Sequence, residues 1–80
     1  MRRGWRKVDD ALFAAVINGR DRARYHLLVE RLPNGSGWDW TVWRPGDPPE
    51  AARHGVAPSA AAAMRAAEAA VEEWEQGAAP

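Results

Sequence analysis

The chain has 80 residues, of which 46 % are hydrophobic and 17 are alanine; it has no cysteine, and its formal net charge is zero. That length allows one domain, near the lower limit at which a single core stabilises a chain unaided, and the missing cysteine excludes a disulfide framework and any thiolate metal site. Alanine buries little area, so the larger apolar side chains, five tryptophans among them, must supply most of the burial, at roughly 1.5–3 kcal/mol for each one fully buried.

Residues 1–7 are basic, with Trp5 embedded, and read as a flexible N-terminus or a short leading strand. Arg2 and Arg3 ahead of the apolar run 12–17 resemble the start of a signal peptide. However, Asp9 and Asp10 interrupt the approach, the run is short, and Arg20, Asp21 and Arg22 follow it without a cleavage site. No segment reaches the roughly 20 apolar residues of a membrane span. With the Ala, Arg, Gly and Pro bias of a GC-rich bacterial coding sequence, the expectation is a bacterial cytoplasmic protein without a membrane partner.

Residues 11–17 suit either a helix capped by Asp9 or Asp10 and stopped at Gly19, or a strand running into Asn18 and Gly19, a short hairpin signal. The strand is preferred, because Phe13, Val16 and Ile17 before Asn-Gly fit a hairpin better. The next run, 23–31, is a strand with Tyr25, Leu27 and Val29 on one face and His26, Leu28 and Glu30 on the other. Residues 33–37 form a turn by composition. In the following strand Trp38, Trp40 and Val42 share one face, and Asp39, Thr41 and Trp43 the other. Proline ends that ladder, and residues 45–58 read as a Pro/Gly-rich loop.

Ser59 is placed to cap a helix over residues 59–76. Ala60, Ala63, Met64, Ala67, Ala70, Val71 and Trp74 make its apolar stripe, and Gly77 is its expected stop. The fold expected is therefore α+β: a three-stranded antiparallel meander over residues 11–44, then one C-terminal helix packed on one face.

Chemistry-bearing residues are sparse. His26 and His54 stand at no metal-ligand spacing with each other or with a carboxylate. Ser36 falls in a turn and Ser59 in a cap, and the acidic pairs Asp9, Asp10 and Glu72, Glu73 have no pocket to shift a pKa for acid–base work. Residues 34–37 join strand to strand, whereas a phosphate loop opens a helix. The expectation is a non-enzymatic chain with no catalytic residue, cofactor, metal or small-molecule substrate.

Trp43 lies on the sheet face opposite the helix, with His26 and Leu28. With a single helix that face has no cover inside the monomer, and an uncovered apolar face marks a contact surface. Self-association into a homodimer is the simplest partner, homodimers being the commonest oligomers. A different class, nucleic-acid binding, draws on the charge distribution: residues 1–31 carry +4 and residues 32–80 carry −4. Arg22, Arg24, Arg31 and Arg44 are its candidate contacts, beside the aromatic Trp43. Against it, the aromatic consensus of RNA-recognition domains is absent, and the last helix opens on alanines rather than the lysines of a double-stranded-RNA binder.

Gly55, Val56, Ala57, Pro58 and Ser59, followed by Ala63, Ala67, Ala70 and Trp74, carry a further signal. Residues 40–74 resemble the core of HicB-like domains, small bacterial modules in which a strand enters a Pro/Gly loop and Gly-x-x-x-Ser/Thr opens an alanine-rich helix. The resemblance implies a partner-binding module, with the antitoxin role of some members as one form of it. HicB antitoxins usually add a separate C-terminal DNA-binding segment, to which nothing in this sequence corresponds, so autoregulation through DNA is not carried over.

Overall fold

A computed structural model describes residues 4–77. Five strands, β1 (Arg6–Asp9), β2 (Leu12–Asn18), β3 (Arg24–Arg31), β4 (Trp38–Trp43) and β5 (Arg53–Ala57), precede one helix, α1 (Ala60–Gly77). All neighbours pair antiparallel in chain order, so the sheet is a simple meander with β3 at its centre. The class is α+β with one C-terminal helix, and the expected three strands are corrected to five.

Both extra strands are edges. β1 falls partly in the stretch 1–7 read as a flexible N-terminus or a short leading strand, of which residues 1–3 lie outside the described residues. All four of its residues are exposed, so it carries no apolar alternation; the backbone ladder to β2 holds it, with a register shift between Lys7 and Asp9. Trp5, just before it, donates its indole N–H to Glu68 Oε2 of α1 at 2.7 Å, which ties this edge to the helix. β5 lies inside the stretch read as a loop. Its Gly55 and His54 hid it, yet Gly55 is required there: a Cβ would stand 2.8 Å from the Trp40 indole that crosses it from β4.

Residues 11–17 take the strand form, but the hairpin that follows is not a two-residue Asn-Gly turn. The chain makes a 3-10 turn at Arg20–Arg22, and the left-handed backbone falls on Asp21 (φ 54°) and Arg22 (φ 65°), while Gly19 stays at φ −96°. The glycine serves close packing instead. A Cβ at Gly19 would meet Glu75 Oε2 at 2.6 Å and the Tyr25 ring at 2.7 Å.

The core lies between α1 and one sheet face. Tyr25, Leu27, Val29 and Val42 are the largest fully buried side chains, and Ala63, Met64, Ala67, Ala70, Val71 and Trp74 meet them from the helix. Trp38, Trp40 and Phe13 pack at the flank around Met64. The helix begins where Ser59 Oγ accepts the Ala62 N–H at 3.1 Å, which satisfies one orphan donor of the first turn. Its alanines bring the backbone close to the sheet. At its far end Trp74 lies under the guanidinium groups of Arg44 and Arg53, 4.7 and 4.3 Å from the ring centroid, with Tyr25 edge-on at 5.6 Å.

Candidate functional site

Strand alternation sends every second residue of the sheet away from α1. The strand registers arrange those residues in cross-strand rows on the open face. Val16, His26 and Trp43 form one row. Ala14, Leu28 and Thr41 form the next, extended by Arg6 and His54 on the edge strands. Leu12, Glu30, Asp39 and Val56 form the third. At the opposite end Arg24 pairs with Asn18. No helix or strand among the described residues covers these rows.

His26, Leu28 and Trp43, singled out from the sequence, thus meet at the middle of the face. The His26 and Trp43 rings are stacked, 5.5 Å between centroids and 21° from parallel. The stacking sets the two half-buried rings side by side on this face. A shallow depression of about 420 Å³ beside them is lined by Arg6, Ala14, Val16, Leu28 and the two rings. The apolar flanks are open to solvent: Val16 is 47 % exposed and Val56 63 %.

Two residues of this face went unnoticed as a pair in the sequence. Glu30 and Asp39 stand directly opposite one another on β3 and β4, an arrangement that destabilises a sheet by like-charge repulsion. Neither has an ion-pair partner among the described residues. The alternation placed each on the open face, but their adjacency depends on the register across the turn, which alternation does not define.

The four candidate arginines do not form one patch. Arg22, Arg24 and Arg44 line a cleft of about 450 Å³ at one end of the sheet, together with Pro45 and Asp47. Arg31 stands at the other end of β3, roughly 23 Å away for seven strand steps, with its guanidinium 5.9 Å from the Trp38 ring centroid. Arg44 is already engaged. Its Nη2 is 2.8 Å and its Nε 2.9 Å from Asp47 Oδ2, and that hydrogen bond raises its pKa further above the usual arginine value. Arg22 and Arg24 are exposed and lack an ion-pair partner among the described residues.

Among the described residues no group of three His, Cys, Asp or Glu could hold a metal ion, and no helix is long and apolar enough to cross a membrane. Comparison with protein-family models gives no match, and comparisons with curated proteins and with solved structures give none either. A functional reading of this chain therefore rests on its own sequence and surface.

Proposed function

We propose that this domain is a non-catalytic protein-interaction module that binds a second copy of itself through the open face of its sheet. The observation that carries the reading is the row of Val16, His26 and Trp43 beside Ala14 and Leu28, apolar and aromatic surface at the centre of a face that no helix or strand among the described residues covers. The partner-binding role implied by the HicB-like resemblance of residues 40–74 points the same way. Four strand spacings of ~4.8 Å by three row spacings of ~6.8 Å give a footprint of roughly 400 Å² per copy. A stable interface buries about 800 Å² per partner, so the expected association is weak, micromolar or above.

Sedimentation across protein concentration tests this, alongside the indole N–H resonances of the five tryptophans. Association with the Trp43 indole shifting is expected, and Trp43→Ala should weaken it by at least about tenfold while the monomer stays folded, as truncation of an aromatic anchor does. A wild-type chain that stays monomeric throughout overturns the reading.

Nucleic-acid binding is the second reading, favoured by exposed Arg22 and Arg24 at the cleft they share with Arg44. Added RNA or DNA would then shift the same indole, with an affinity falling steeply as salt rises. Association between apolar faces survives salt. Three features weigh against the second reading: Arg31 stands apart, Arg44 is bound to Asp47, and the acidic row shares the face with Trp43.

A further inference from the structure

Resting on the self-association reading, we infer that two copies pack with their two-fold axis crossing the strands above β3, so that Arg24 of one copy meets Glu30 and Asp39 of the other. The open face is polarised along the strand direction. Arg24 stands at one end of β3 and Glu30, with Asp39 beside it, at the other; the two central rows lie between.

With strands aligned, two sheets pack face to face about 10 Å apart and within about 30° of each other. A two-fold axis in that plane then runs either along the strands or across them. Along the strands, each row meets itself: Arg24 opposes Arg24, Glu30 opposes Glu30, and the bulky His26 and Trp43 row opposes its own copy. Across the strands, β3 still lies over β3 but reversed, so Arg24 opposes Glu30 twice. The same reversal lays the row of Val16, His26 and Trp43 over the slimmer row of Ala14, Leu28 and Thr41. Val16 then faces Ala14, His26 faces Leu28, and Trp43 faces Thr41.

Charge and side-chain size select the same orientation independently. The crossing axis also gives a role to the Glu30 and Asp39 pair, which has no ion-pair partner among the described residues: it becomes the counter-charge for Arg24, which has none among them either. Complementary charge of this kind sets register and orientation more than affinity.

Arg24→Glu and Glu30→Arg, both at exposed positions, test this alone and as an equimolar mixture, by sedimentation at low salt with circular dichroism to verify folding. Each variant alone should self-associate at least about tenfold more weakly than wild type, because two like-charge contacts replace two attractive ones. Their mixture should regain wild-type affinity within a few-fold, since both contacts become opposite-charge pairs again. Variants that associate as tightly as wild type, or a mixture no tighter than its parts, overturn the orientation. So does a mixture of Arg24→Glu with wild type that associates more tightly than wild type alone, the signature of Arg24 facing Arg24. A wild-type chain that never associates removes the underlying reading instead, and the two failures are thereby separated.

Discussion

The Tyr25 hydroxyl donates a 2.6 Å hydrogen bond to Glu75 Oε2, which joins the start of the central strand to the last turn of the helix. Glu75 Oε1 accepts the Arg20 backbone N–H at 2.9 Å, and Gly19 leaves the space in which the carboxylate sits. One side chain thus fastens the β2–β3 turn, β3 and α1 together, on the side of the sheet away from the candidate interaction face.

The latch has a pH signature. The hydrogen bonds from Tyr25 and Arg20 hold the Glu75 pKa below the usual carboxylate value. Its contribution is present above about 4.3, the unfolded value, and is lost as pH falls through the lower folded value. Burial, then the Glu75 hydrogen bond, raise the Tyr25 pKa. Its contribution is present below about 10 and is lost as pH rises through the raised folded value. Urea midpoints across pH should therefore fall on both limbs. Glu75→Gln should flatten the acid limb while Tyr25→Phe flattens the alkaline one. An acid limb unchanged in Glu75→Gln would assign acid sensitivity to other carboxylates.

Gly55 and Trp40 make a coupled pair. A methyl group at Gly55 would lie 2.8 Å from three atoms of the indole, so Gly55→Ala forces the ring off its position over β5. Overpacking of this kind costs about 1–3 kcal/mol. In a Trp40→Leu background the obstruction is gone, and the same change should be neutral or stabilising, because alanine also reduces the freedom of the unfolded chain. A double-mutant cycle by urea denaturation reads the coupling directly. Additive effects would mean that the ring and the glycine are not in contact.

The parts of the fold legible in the sequence are those where apolar period and burial coincide. Tyr25, Leu27 and Val29 alternate because β3 is covered on one face, and the alanine stripe repeats because α1 is covered along one side. β1 and β5 escaped because edge strands need no such pattern. Arg6, Lys7, Val8 and Asp9 are all exposed, and β5 carries a glycine at the position where a neighbour's tryptophan fills the space. The Asn18, Gly19 signal named the right place but the wrong turn, since Gly19 was kept for the room that Glu75 and Tyr25 need. For the candidate site, alternation was enough to bring His26, Leu28 and Trp43 to one face. It could not bring Glu30 opposite Asp39, because that depends on where the turn after β3 returns the chain, whereas the separation of Arg31 from Arg24 follows from the length of β3 alone.

Leu27 and Leu28 are chemically identical neighbours on opposite faces of β3, and they separate stability from association. Leu27 is 1 % exposed and packs with Val42, Ala67 and Val71 in the main core cluster. Leu27→Ala removes buried methyl groups and leaves a cavity, at a cost of about 2–5 kcal/mol. For a domain of this size that is much of a stability in the range of roughly 5–15 kcal/mol, and the loss should not depend on protein concentration. Leu28 lies on the open face, where its neighbours are Ala14 and Thr41. Leu28 is half-buried there, so in dilute solution Leu28→Ala should cost about 1 kcal/mol, well below Leu27→Ala. At concentrations where copies associate it should lower the apparent stability further, because binding to the folded state stabilises by mass action. Thermal unfolding of both variants at two protein concentrations makes the comparison. If Leu28→Ala costs as much as Leu27→Ala in dilute solution, the second face is part of the monomer's own packing; if it costs little until the chains associate, that face is the one a second copy covers.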